Sequence, residues 1–255
     1  MARRDTRDDN TQTDFGFRSV GTAEKTRMVR DVFDSVAGSY DLMNDLMSGG
    51  VHRLWKAALI DRLNPQPGQT LLDLAGGTGD IAQRFLARTK QGGRVIVCDI
   101  NESMIRVGRD RALDRGIVGD ITWLVGNGET LPVASSSVDC VTISFGLRNV
   151  TRKDEALAEA WRVLKPGGRF LCLEFSRVEA PLFRRAYDLY SFNLLPRIGG
   201  VVAKDRDSYQ YLVESIRRFP PQQELATMME TAGFEQVSYR NLSGGIAAIH
   251  SGWRL

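Results

Sequence analysis

Apolar positions along this chain follow two rhythms. From Thr70 onward, short continuous apolar runs alternate with longer stretches in which apolar residues recur every three or four positions. The runs in "TLLDLAGGTGD", "GGRVIVCDI", "ITWLVGNGETLPV", "VDCVTISFGLRNV" and "RFLCLEF" read as strands. The stretches "IAQRFLARTK", "NESMIRVGRDRALDRG" and "KDEALAEAWRVLKPGG" read as helices, the last stopped by Pro166 and two glycines. Strands that are apolar throughout and alternate with helices predict a parallel sheet covered on both faces. After the helix "PQQELATMMETAGF", the runs "EQVSYRNL" and "GGIAAIHSGWRL" meet at a Ser-Gly-Gly turn and predict a closing antiparallel hairpin. The expectation is an α/β domain with a mostly parallel sheet of about seven strands.

Two stretches break this rhythm. Thr22–Ala37 reads as a helix, with Met28, Val32 and Phe33 at helical spacing, and a second helical patch runs from Val51 to Leu63. Ala180–Phe219 is helical and aromatic where a strand would otherwise come. Both are expected to lie over the site as caps. Residues 1–20 are polar and mixed in charge, which predicts a disordered or loosely docked tail before a single domain over 21–255.

An apolar fraction of 42% and a charged fraction of 25% are those of a globular protein, and a formal net charge of +3 gives no footprint for nucleic acid. No apolar run approaches the roughly 20 residues that span a bilayer, and the N-terminus lacks the apolar core of a signal peptide. A cytoplasmic location follows as the expectation. Cys98, Cys140 and Cys172 each sit in or at the end of an apolar run, as core thiols do in a reducing compartment. With only His52 and His250 to join them, no metal site is expected.

Ligands of open α/β sheets bind beyond the carboxyl ends of the strands. Four loops fall there. In "DLAGGTGD", Gly76, Gly77 and Gly79 around Thr78 let a ligand approach the backbone where a Cβ would clash. Their spacing is not that of a pyrophosphate-binding dinucleotide fold. Asp99, about 20 residues further on, suits both hydroxyls of a ribose, or is simply an acid placed before a helix N-terminus. Asn127 and Gly128 in "GNGETLP" either meet an adenine edge or form a plain turn. The fourth loop opens at Ser144.

The glycine loop resembles that of class I S-adenosyl-L-methionine (AdoMet) methyltransferases, with Ala75 in place of one usual glycine. Three further motifs resemble one family, the ubiquinone/menaquinone biosynthesis C-methyltransferases. They are the run "YDLMNDLMSGGVHRLWK" with Tyr40, Asn44, Ser48, His52 and Trp55, the segment "SFGLRNV", and "RVLKPGGRFLCLEFS". The likeness extends from about Thr22 to Leu255 and includes "SYQYLVESI". It implies a Rossmann-like class I methyltransferase fold and AdoMet contacts at Thr78, Asp99, Asn127, Gly128 and Ser144. It also implies a polyprenyl quinol substrate, benzoquinol or naphthoquinol, methylated on a ring carbon.

Such chemistry needs no metal, because a sulfonium methyl is already activated. Alignment alone can supply about 7–11 kcal/mol. The ring carbon becomes nucleophilic when a neighbouring phenol, of pKa about 10, is held ionised, which near neutral pH takes about 4 kcal/mol. Arg148 is the first candidate to stabilise that phenolate, unless it is a surface residue capping a strand end. Asn149 is placed to orient a water or the second ring oxygen. His52 has the pKa of a base, or forms a structural hydrogen bond, and Tyr40 either donates to a ring oxygen or packs. Glu174 is a partner of these groups or a strand-end acid without a role, and His250 reads as structural.

The basic, aromatic stretch Ala180–Asp205 suits peripheral contact with an anionic membrane, through which a prenyl tail would enter, or else packs as a cap. The cap helices also offer a homodimer surface, and a place in a quinone-biosynthesis complex is expected. The competing readings are methylation of another apolar phenol or lipid, and a non-catalytic AdoMet-binding scaffold.

Overall fold

The computed structural model describes residues 12–36, 45, 48–90, 92–178 and 206–255. The main sheet contains β3 (Thr70–Leu74), β4 (Arg94–Asp99), β5 (Ile121–Val125), β6 (Val138–Ser144), β7 (Leu164–Phe175), β8 (Glu235–Leu242) and β9 (Ala247–Arg254). Their order is β5-β4-β3-β6-β7-β9-β8. The first five run parallel, and β9 pairs antiparallel with both β7 and β8, as the late hairpin predicts. Chain order reverses at β3, so the switch point lies between β3 and β6.

Strand side chains alternate between two cores. Leu71, Leu171 and Leu173 enter one core with α2 (His52–Leu63), α3 (Asp80–Arg88) and α6 (Arg206–Arg218). Leu72, Phe170 and Cys172 enter the other, with α5 (Lys153–Val163) and α7 (Gln222–Thr231). The remaining described helices are α1 (Thr22–Val36) and α4 (Glu102–Asp114). All three cysteines are free and buried, and burial pushes the Cys98 and Cys140 thiols up to about 12. Among the described residues no helix is long and apolar enough to cross a membrane.

Three expectations need correction. Part of the expected tail is ordered: β1 (Gln12–Phe15) and β2 (Arg18–Gly21) form an antiparallel hairpin. Its anchor is tertiary, since Phe15 stacks on Tyr211 of α6 at 4.1 Å and the Phe17 amide donates to Glu214 at 3.0 Å. A polar ten-residue segment gives no local sign of such partners. Second, α5 ends at Val163, before the Pro-Gly-Gly, because Leu164 is already extended and paired with Val138. Pro166 then sits where the register shifts between Val138 and Cys140, an irregularity that tolerates a missing amide donor. Third, α2 is a core helix and not a cap, with Trp55, Leu59, Ile60 and Leu63 buried against the sheet. Of the cap Ala180–Phe219, residues 180–205 lie outside the described residues, as do Tyr40 and Asn44.

Candidate active site

The carboxyl ends of β3, β4 and β6 open into a cleft walled on its outer side by Thr26, Val29, Arg30 and Phe33 of α1. The turn after β3 forms the inner wall. There Ala75 and Gly77 take positive φ, 49° and 55°. Ala75 thus holds a left-handed conformation that costs a non-glycine residue of order 1 kcal/mol or more and recurs at functional sites. Gly76 is required sterically, because a Cβ there would come 2.8 Å from both Asp73 Oδ2 and Val97 Cγ1. Asp99 ties the turn to β4. Its Oδ2 accepts from the Gly77 amide at 2.9 Å and its Oδ1 from the Asn101 amide at 2.8 Å. Burial raises the Asp99 carboxyl against the pull of these amides. The lone pairs left on its oxygens are available to hydroxyl donors.

A second, smaller cavity meets the cleft at Ala75 and Gly77. It is lined by Lys56, Asp73, Gly76, Thr78, Asp80 and Ser144. Asp73 is on the β3 face opposite Leu72. Thr142 Oγ1 donates to its Oδ1 at 2.9 Å, while Oδ2 is buried without a partner among the described residues. Burial pushes this carboxyl up to about 7, offset in part by the Thr142 bond and by Lys56. Lys56 reaches in from α2 and pairs with Asp80 at 2.9 Å, and Asp80 also takes Arg84 at 2.9 Å. The Ser144 hydroxyl is also buried and lacks a partner among the described residues. One ammonium with donors to spare and two unused oxygens in one small space suit the two ends of an amino acid.

The third wall is the turn Leu147–Asn149 after β6. Arg148 is 4% exposed and makes a 2.9 Å ion pair with Glu174, whose side chain is 1% exposed. Glu174 also accepts from the Arg148 amide at 3.3 Å and the Phe175 amide at 2.9 Å. The same guanidinium group donates to the Phe145 carbonyl and lies over the Phe175 ring, 5.6 Å from its centroid. Its Nε–H is buried without a partner among the described residues. Beside it, Tyr211 donates to Asn149 Oδ1 at 3.0 Å. Lys25, pushed down to about 8 mainly by burial, and Lys153 both point at the Val150 carbonyl, at 3.5 and 3.1 Å.

The expected site residues separate accordingly. Gly77, Asp99, Asn127, Gly128 and Asn149 line the cleft, and Gly76, Gly77, Thr78 and Ser144 the smaller cavity. The Asn127 side chain also closes its own turn, accepting from the Glu129 amide at 3.0 Å. Gly79 lines neither; it begins α3, and a Cβ there would meet the Trp123 ring at 2.7 Å. Arg148 is buried behind the wall and is not a surface residue, and Glu174 is its partner. His52 lies outside both cavities, 3% exposed, with Asp45 3.2 Å from its Nε2; burial lowers it to about 4. His250 is buried on the Gln222 carbonyl at 2.9 Å. Asp73, Lys56 and Tyr211 are additions. Asp73 was legible as the acid that opens the glycine turn, whereas Lys56 and Tyr211 arrive from remote helices.

This seven-stranded fold, with its site on the glycine turn, is that of class I AdoMet-dependent methyltransferases. An Aquifex aeolicus SAM-dependent methyltransferase superimposes with a TM-score of 0.56 at 15% identity, covering 78% of this chain and 89% of that one. The [4+2]-cyclase SpnF superimposes at 0.66 with 17% identity, covering 89% and 94%, so the fold alone does not specify the reaction. Sequence is more decisive: the chain belongs to the ubiE/COQ5 methyltransferase family, whose profile matches residues 21–254. It is 62% identical to the ubiquinone/menaquinone biosynthesis C-methyltransferase UbiE of Acidiphilium cryptum (strain JF-5) over 95% of this chain and 96% of that protein. It is 52% identical to the mitochondrial 2-methoxy-6-polyprenyl-1,4-benzoquinol methylase of Dictyostelium discoideum, over 97% and 88%.

The buried pair makes a stability prediction. Glu174→Ala leaves Arg148 uncompensated in the interior and is expected to cost about 3–5 kcal/mol in urea unfolding. A loss below about 1 kcal/mol, the range of an exposed pair, would show that Arg148 finds another partner.

Proposed function

We propose that this protein transfers the methyl group of AdoMet to a ring carbon of a polyprenylated benzoquinol, a demethylmenaquinol, or both, in respiratory quinone biosynthesis. The observation that carries the donor side is Asp99. It is a half-buried carboxylate bonded to the glycine turn and lining a cleft that continues into a cavity shaped for an amino acid. The acceptor side is supported by membership of the family and by the relatives' names.

In this reading Asp99 accepts from the ribose hydroxyls, and Asn127 with Gly128 faces the adenine. Lys56 takes the α-carboxylate, and Asp73 Oδ2 with Ser144 takes the α-ammonium. Gly76 and Thr78 form the backbone of that pocket. The sulfonium supplies an activated methyl, and the protein's task is alignment and charge. Asn149 projects into the cleft and donates to a ring oxygen. Arg148, buried behind the wall with its charge matched by Glu174, acts on that oxygen and on a water that receives the ring proton only through its field and through the turn that carries Asn149. Tyr40 keeps its proposed role as a donor to the ring. His52 holds the chain around Asp45 and Ser48, the latter accepting from its amide at 3.1 Å, and is assigned no proton transfer. Contact of residues 180–205 with the membrane surface would bring the prenyl tail to the cleft. A cytoplasmic, peripheral location, a homodimer and a quinone-biosynthesis complex all fit this reading.

Removing the gene from its source cell is expected to accumulate quinones that lack one ring methyl; an unchanged quinone profile would refute the acceptor assignment. The donor geometry has its own test. Lys56→Met is expected to weaken AdoMet binding on the order of tenfold to hundredfold, the worth of a charged hydrogen bond. Binding of 5′-methylthioadenosine, which lacks the amino-acid end, should be unchanged in calorimetry. Equal losses for both ligands would remove Lys56 from the pocket.

A further inference from the structure

We infer that Tyr211 is a positioning residue: its hydroxyl fixes the Asn149 side-chain amide so that the amino group, and not the carbonyl, faces the substrate oxygen. The inference rests on the acceptor reading above and assigns a task to a helix that lies outside the glycine site.

An asparagine amide can face a cavity with either end. Presented as –NH2 it attracts an oxyanion, and presented as C=O it repels one. Which end faces the cleft here is set by the bond at its back. The Tyr211 hydroxyl donates to Asn149 Oδ1 at 3.0 Å, so Oδ1 is held on the α6 side and Nδ2 has no partner among the described residues. The backbone cannot supply this choice. The Asn149 amide is already bonded to the Gly146 carbonyl at 3.0 Å, which fixes the turn but leaves the side-chain amide free to rotate. Tyr211 is a reliable donor because burial pushes its phenol well above its ordinary range, far from ionisation at any working pH.

Tyr211 is itself held from outside. It is 4% exposed, and Phe15 of the N-terminal hairpin stacks on its ring at 4.1 Å and 16°. One turn along α6, Glu214 accepts from the Phe17 amide at 3.0 Å. The hairpin therefore clamps the phenol, the phenol orients the amide, and the amide presents a donor where negative charge develops on the ring oxygen. A hairpin that only covered α6 would not need the hydroxyl.

Tyr211→Phe removes that hydroxyl and keeps the stacked ring. With a short-prenyl demethylmenaquinol as acceptor, kcat is expected to fall about tenfold, the equivalent of one neutral hydrogen bond. AdoMet affinity and Tm should stay near wild type. Asn149→Leu should lose more, and adding Tyr211→Phe to it should cost nothing further, since the group being positioned is gone. Normal kcat in Tyr211→Phe, additive losses in the double variant, or parallel losses of Tm and AdoMet affinity would each overturn the inference. If the wild type binds AdoMet but does not methylate the quinol, the acceptor reading fails separately. The inference is then decided by the ¹⁵N side-chain resonance of Asn149, assigned by its absence in Asn149→Leu. Tyr211→Phe should shift this resonance; an unmoved resonance would overturn the inference.

Discussion

The site depends on one buried ion pair. Glu174, at the end of β7, accepts from the Arg148 guanidinium, from the Arg148 amide and from the Phe175 amide. Two charged groups so deeply buried are stable only when paired with each other and further hydrogen-bonded. The pair stitches the turn after β6 to the neighbouring strand. It also helps hold Phe145 at φ 57°, a conformation that a bulky residue adopts only when its surroundings impose it. Phe145 then packs on Phe175 at 4.9 Å and, through it, on Trp55 of α2. The wall that carries Asn149 is rigid because a charge behind it has nowhere else to go.

That arrangement constrains the chemistry. An arginine already neutralised by a carboxylate is a weaker source of field than a free one, so the donor geometry around the ring oxygen matters more. Asn149 lines the cleft, while Arg148 is buried behind it and Lys25 and Lys153 both turn towards the Val150 carbonyl. The cleft and the smaller cavity meet at Ala75 and Gly77, and the chain is crowded there: a Cβ at Gly146 would fall 2.6 Å from that of Ala75. Ala75 and Phe145, two of the non-glycine residues with positive φ, both line the cleft, and backbone strain often gathers at functional sites.

Much of this was legible in the order of residues. The seven strands announced themselves because a two-sided sheet needs apolar residues at successive positions, and "TLLDL" and "RFLCLEF" satisfy both faces at once. Asp99 was legible because a strand ending in an acid, after a glycine turn, has few other uses. What could not be read was decided by distant partners. The amphipathic look of "HRLWKAALIDRL" suggested a cover, but Trp55 and Leu59 complete a core whose other half comes from β7 and α3. Whether Arg148 meets a ligand or the surface stayed open in the sequence because its partner Glu174 is 26 residues away along the chain. The hairpin at 12–21 looked like a tail because Tyr211 stabilises it from nearly 200 positions further on, and the Lys56–Asp73 pocket forms only when α2 crosses the end of β3.

The most direct measurement is the location of a labelled methyl group. Purified protein incubated with trideuteromethyl AdoMet and a short-prenyl demethylquinol should place the label on a ring carbon, giving a product whose mass rises by one trideuteromethyl group and whose two hydroxyls still acetylate. A label on a phenolic oxygen, or none in a protein that binds AdoMet, would contradict C-methylation through a stabilised phenolate.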